Sequence, residues 1–294
     1  MRSNAAEYDL IAPAALEAVL QAIGDEQRQP LAGGTEVMVA LCAGRLTQKK
    51  FVSLQRLREL RFIDSADPEI LRIGAGSTFT DLRRSDVLAH EFPLIAQTSS
   101  WTGSVANQNR GTLGGNIANA SPAADTPPAL LVYDAELELV SLRGTRVLPY
   151  RDFHLSYKRT ALAPDELILA IRLPRCFAQH HHFVRKVGTR NAQAISKIAL
   201  AGVGQVADGL LQSVALGAAS LLDRPARLHA TEATLVSRSL DDPQLLSDAG
   251  AALASEIAPI DDIRSTARYR TRVAQNLLGE FLAACAASNA SSSS

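Results

Sequence analysis

The sequence predicts an α+β protein: a two-lobed ligand-binding region followed by a C-terminal antiparallel sheet with helices on one face. Three observations predict it. Two glycine loops, Leu31 to Glu36 and Asn109 to Pro128, lie far apart in the chain, and glycine this dense suits backbone brought close to a ligand rather than a helix or strand interior. Short strand-like runs alternate with helical spacing up to Pro174. From Phe183 onward, longer strand-like runs are followed by helical stretches, the pattern of a separate α+β unit.

The elements follow in order. Leu16, Val19, Leu20 and Ile23 have helical spacing, with Gly24 as the expected C-cap. A strand brings the chain to Pro30–Ala32, the glycines turn it, and Thr35 is placed to cap a helix reaching Ala43. Phe51–Leu54 is a strand, closing a first lobe over residues 1–57. In a second lobe, 58–176, Arg61–Asp64 and Ile70–Ile73 are short strands around a turn at Ser65-Ala66-Asp67-Pro68. Gly74-Ala75-Gly76 opens a GxGxxG pattern, but Phe79 stands where the third glycine belongs, so no dinucleotide fingerprint is assigned. Helices are expected near Thr80, near Pro93 and over Thr126–Tyr133, and a hairpin turns at Gly144. In the C-terminal domain, 177–286, Val184–Val187, Ile198–Val206 and Leu210–Gly217 are strands, with a turn at Ala207-Asp208-Gly209. Ala226–Arg238, Ala249–Ile257 and Ile263–Ala286 are helices, and residues 287–294 are a disordered tail.

Composition narrows the function. Thirty basic residues balance thirty acidic ones, and only 5% are aromatic, so nothing favours nucleic acid or an anionic membrane. Cys42, Cys176 and Cys285 form no CxxC pair, which argues against a metal or cluster in this chain and fits a reducing compartment. The His180-His181-His182 run points to alternating faces and is read as an exposed linker. There is no signal peptide and no membrane span, so the expected location is cytoplasmic. Hydrolase nucleophile, phosphate-loop and zinc-protease motifs are absent, leaving the chemistry to a cofactor.

The motifs resemble those of one family. Ala32–Val37 (AGGTEV) and Gly111–Asp125 (GTLGGNIANASPAAD) are similar to the two FAD-binding loops of the medium subunit of molybdenum hydroxylases, the xanthine dehydrogenase and carbon monoxide dehydrogenase group. Phe153–Pro174, Phe183–Ala201 and Arg264–Leu278 resemble later segments of the same subunit, in the same order. The resemblance implies a two-lobed FAD domain of the vanillyl-alcohol-oxidase type and a C-terminal domain of the carbon monoxide dehydrogenase flavoprotein type.

It also implies cofactor contacts. Leu31, Ala32, Gly33, Gly34, Thr35, Glu36 and Val37 receive the FAD pyrophosphate, which suits free amides at a helix N-terminus. Taken alone, the stretch is equally a tight strand-to-helix turn. Thr112, Leu113, Gly114, Gly115 and Asn116 form the second contact, and Asp125 accepts from a sugar or ribityl hydroxyl, although it also stands where a helix N-cap would. Ile168 meets the ring or is a plain core residue. Lys186 lies by the ring's N1–C2 edge or is a solvated surface lysine. No side chain is assigned as catalytic.

The family implies a heteromeric oxidoreductase. A small subunit carries [2Fe–2S] clusters, a large one carries the molybdenum cofactor, and the whole is a dimer of heterotrimers. This chain passes electrons to NAD, a quinone or dioxygen. Two alternatives are a free-standing FAD-dependent reductase of the same fold and a scaffold subunit that has lost its flavin.

Overall fold

The computed structural model describes residues 5–190 and 193–292. β1 (Asp9–Ile11), α1 (Leu16–Gly24), β2 (Gln29–Leu31), α2 (Thr35–Cys42) and β3 (Lys50–Ser53) build the N-terminal lobe, a parallel sheet in the order β1-β3-β2. The apolar stripe of α1 buries Val19, Leu20, Ala22 and Ile23 against Val52, Leu57, Leu60 and Leu167. Gly24 is the last helical residue rather than the cap; the cap is Asp25, and the chain reverses at Gln27 with φ 53°. Thr35 caps nothing. The N-cap is Gly34, held at φ 75°, and α2 begins at Thr35.

The second lobe runs through β4 (Ile63–Asp64), β5 (Ile70–Gly74), α3 (Phe79–Arg83), α4 (Asp86–Glu91), α5 (Pro93–Trp101), α6 (Val105–Gln108), α7 (Leu113–Ala118) and α8 (Pro127–Val132). It closes with β6 (Glu136–Ser141), β7 (Gly144–Pro149), β8 (His154–Ser156), β9 (Arg159–Thr160) and β10 (Leu167–Pro174). Five strands form an antiparallel sheet, β4-β5-β10-β6-β7, so the last strand lies at the centre and returns the chain beside the first lobe. Thr78 caps α3 reciprocally with Asp81, and Asp81 in turn holds Arg61 at 2.9 Å. Asp125 is not a cap: Thr126 occupies that place, and no side chain bonds the first turn of α8.

The last part holds β11 (His181–Val187), β12 (Ile198–Ala207), β13 (Leu210–Ala219), β14 (Ala226–Arg227), α9 (His229–Leu235), α10 (Leu245–Glu256) and α11 (Ala267–Ser292). Its sheet is antiparallel, β11-β12-β13-β14. Alternate residues face opposite ways. Ile198, Leu200, Leu216 and Ala218 pack under the three C-terminal helices, while Ala201, Val203 and Ala215 join the core of the second lobe. Gly202 admits the Phe281 ring of α11, and Gly217 admits α8, where a Cβ would stand 2.6 Å from the Pro128 carbonyl. The two faces of this sheet therefore bind it to both neighbours.

Three local expectations change. Ala226 and Arg227 do not start a helix: they pair with Ala218 and Gly217 as β14, where Arg227 reaches Asp134 and the Leu131 carbonyl. The last helix begins at Ala267, because the Asp262 carboxylate folds the preceding turn by accepting from the Arg264 and Ser265 amides, and Asp261 accepts from Ala267 N–H. It then continues to Ser292 through most of the expected tail; residues 293 and 294 lie outside the described residues. The histidine run is no linker either. His181 and His182 belong to β11, and His182 Nδ1 accepts from Tyr133 Oη (3.0 Å) while its Nε2 donates to the Phe177 carbonyl (3.1 Å).

Candidate cofactor site

The two glycine loops touch each other. A Cβ on Gly33 would stand 1.9 Å from the Arg110 carbonyl oxygen, so the first loop lies directly on the backbone that enters the second. On the second loop, a Cβ on Gly115 would meet Thr112 Oγ1 at 2.9 Å and Ala32 at 3.6 Å. Around this contact opens a cavity of about 540 Å³, walled by both lobes.

The loops offer different chemistry to that cavity. Among the described residues, the amides of Gly34, Thr35, Glu36 and Val37 have no acceptor within the chain. They converge at the start of α2, where unpaired N–H groups and the helix dipole favour an anion. The start of α7 is already satisfied. Leu113 N–H donates to the Ser77 carbonyl, Gly114 N–H to the Ala75 carbonyl and Gly115 N–H to Thr112 Oγ1. Gly114 owes its lack of a side chain to Ala75, whose Cβ lies 2.6 Å from where its own would be. The second loop therefore meets a ligand with side chains and with the bare Gly115 surface, and the Thr112 hydroxyl keeps its proton to donate.

Of the residues singled out in the sequence, Leu31 to Val37, Thr112, Gly114, Gly115, Asn116 and Ile168 line the cavity. Leu113 does not; it is fully buried in the core of the second lobe. Ile168 lines the wall and is also packed into that core, at the point where β10 shifts register against β6. Asp125 and Lys186 stand together outside the lining. Lys186 Nζ lies 2.5 Å from Asp125 Oδ2 and 3.3 Å from the Trp101 carbonyl, while Ser196 Oγ donates to Asp125 Oδ1 at 2.5 Å. Burial pushes the Asp125 carboxyl above its ordinary value, and the ammonium and the Ser196 hydroxyl oppose that shift.

The lining includes residues without a sequence assignment. Ala75 and Gly76, part of the truncated glycine pattern, form the floor with Phe79, and Gly103 (φ 64°) turns the wall after α5. Thr160 to Leu167 form a long flank. Within it, Glu166 accepts from Arg146 Nε (2.6 Å) and Ala163 N–H (2.8 Å), and the guanidinium holds this carboxyl below its usual range. That pairing keeps a second negative charge from opposing an anionic ligand. Gly76 and Gly103 were the readable signals; nothing in the composition of 160–167 marks it. The donor set suits FAD: free amides for a pyrophosphate at one end, hydroxyl and amide side chains beyond, and an apolar wall with Phe79, Leu162 and Ile168.

Comparisons with known proteins agree with this geometry. Residues 6–176 match the model of the FAD binding domain in molybdopterin dehydrogenase, and residues 183–285 match the CO dehydrogenase flavoprotein C-terminal domain. The chain is 32% identical over 262 residues to the carbon monoxide dehydrogenase medium chain of Afipia carboxidovorans, covering 89% of each. It is 30% identical over 254 residues to a xanthine dehydrogenase FAD-binding subunit of Escherichia coli, covering 85% of this chain and 86% of that one. The structure superposes on a chain of a Cu,Mo-CO dehydrogenase with a TM-score of 0.87 at 29% identity, covering 92% of this chain and 94% of the other. With a cavity whose donor set suits FAD and both family segments in place, this chain belongs to the FAD-binding medium subunits of the molybdenum hydroxylases, which are oxidoreductases.

Proposed function

We propose that the chain is an electron-transfer subunit. It takes electrons from a [2Fe–2S] cluster on a small partner subunit and passes them to NAD, a quinone or dioxygen. A large partner carries the molybdenum cofactor and oxidises the substrate, and the assembly is a cytoplasmic dimer of heterotrimers. The observation that supports this best is the cavity between the two lobes with four free amides at the start of α2.

Bound FAD supplies a ring that exchanges electrons both singly and in pairs. The residues of the chain bind and orient it. The α2 amides hold the pyrophosphate; Thr112 and Asn116 donate hydrogen bonds along the cavity; Ile168 and Phe79 give the ring an apolar wall that excludes water. Asp125 and Lys186 form a matched pair outside the lining, so their charges offset each other and Lys186 brings no free positive charge to the cofactor. The two lobes correspond to residues 1–57 and 58–176, and the C-terminal domain to 177–286.

The test has two stages. The purified chain should carry about one FAD, identified by absorbance and by mass after release. Rapid mixing with a reduced iron–sulfur subunit should then bleach the flavin absorbance faster than mixing with reduced substrate alone. A chain that binds FAD but turns over NAD(P)H unaided, with no response to an iron–sulfur partner, would instead be a free-standing reductase.

A further inference from the structure

What Asn116 can offer the cavity depends on which end of its amide is free. Asn116 lines the wall, and its Oδ1 lies 2.6 Å from Thr126 Oγ1. Thr126 is fully buried, and among the described residues its hydroxyl has no other partner. A buried hydroxyl proton requires an acceptor. With the amide turned over, Nδ2 would face that oxygen and the Thr126 proton would be stranded. The oxygen of Asn116 is therefore anchored, and both protons of its NH₂ group are directed elsewhere.

The anchor itself is rigid. Thr126 precedes Pro127 and Pro128, whose rings fix the backbone at the start of α8. All six residues of α8 are buried, and its start is held against Gly217 of β13. Asn116 by contrast sits on the half-buried rim of a short helix, where an unanchored side chain would sample several rotamers.

We propose that Thr126 is a positioning residue: it locks Asn116 as a hydrogen-bond donor toward the cavity, so the ligand atom that meets Asn116 is an acceptor. This rests on the FAD reading of the site. It excludes a ligand hydroxyl acting as donor at that point and leaves an acceptor: a phosphate oxygen, a hydroxyl oxygen used through its lone pair, or a ring nitrogen or carbonyl.

The test uses the full chain and FAD, followed by flavin fluorescence. Thr126→Val keeps the shape and removes the hydroxyl; it should weaken FAD about tenfold, as expected for one lost hydrogen bond, with circular dichroism unchanged. Thr126→Ser should restore binding. Asn116→Ala should weaken FAD to the same degree, and Thr126→Val added to it should cost nothing more, since the hydroxyl acts only through the amide. Asn116→Asp should bind worse than Asn116→Ala, because it presents a carboxylate to an acceptor; this comparison stands even if Thr126→Val fails to fold. If Thr126→Val also weakens ADP as a competitor, the acceptor lies in the adenosine–pyrophosphate half of FAD; if ADP is unaffected, it lies in the ribityl–ring half. Wild-type affinity in Thr126→Val, or additive losses in the double variant, would overturn the proposal while leaving the FAD site intact. No FAD binding by the wild-type chain would remove both.

Discussion

At the scale of single residues, Gly33 carries the closest approach in the site. Its missing Cβ makes room for the Arg110 carbonyl, so Gly33→Ala must separate the loops or move one of them. It should lower the melting temperature by several degrees and abolish FAD binding. Gly44→Ala is the control: that glycine has positive φ, at 67°, but nothing lies within 4 Å, so it should cost only about 1 kcal/mol and spare the flavin. Equal loss of FAD in both variants would show that the contact between the loops is not what holds the flavin. The glycines of the two loops were readable because they are contiguous and lie at the start of helices. Their purposes were not. Gly114 serves Ala75 and Gly33 serves Arg110, contacts across long stretches of chain that local composition does not encode. Ser196 shows the same limit, since a lone serine becomes informative only when Asp125 is found against it.

At the scale of elements, periodicity located most strands and helices, and tertiary pairing decided their ends. Ala226 and Arg227 have no strand signal; they become β14 because β13 offers them an edge. The start of α11 is set by Asp262, which bonds the turn and also receives Arg270 Nη2 at 2.7 Å. Arg270 is 1% exposed, and its Nη1 donates to the Lys197 and Ser220 carbonyls. This one side chain fastens the last helix to the ends of β12 and β13. Arg270→Met should destabilise the chain by about 2–4 kcal/mol in urea unfolding, because the Lys197 and Ser220 carbonyls lose this buried donor and Asp262 keeps only Arg264 and the turn amides. A change below 1 kcal/mol would mean that water replaces the guanidinium.

At the scale of the whole molecule, buried histidines make stability depend on pH. His154 is 5% exposed, bonded to Tyr150 Oη at 2.9 Å, and burial, with the nearby Arg224 charge, lowers it to about 4. Burial lowers His180 and His182 as well. The unfolded chain takes up these protons near the ordinary value of about 6.5, while the folded chain resists them. Stability should therefore be level above pH 6.5 and fall as pH drops toward 4, with His154 alone contributing a loss of about 3 kcal/mol. His154→Gln should remove that share from urea midpoints measured across the range; an equally steep fall in the variant would show that His154 is not the group titrating.

The close seat of β13 on α8 bears on inheritance. Pro128 belongs to the first family segment and Gly217 to the second, and any residue larger than glycine at 217 would strike the Pro128 carbonyl. Lys186 and Ser196 likewise come from the second segment to settle a carboxylate in the first. Recombination that brought in a segment with a larger residue in place of Gly217, or without the Lys186 and Ser196 donors, would break these fits. The two stretches look like modules when compared singly, yet each carries residues fitted to the other.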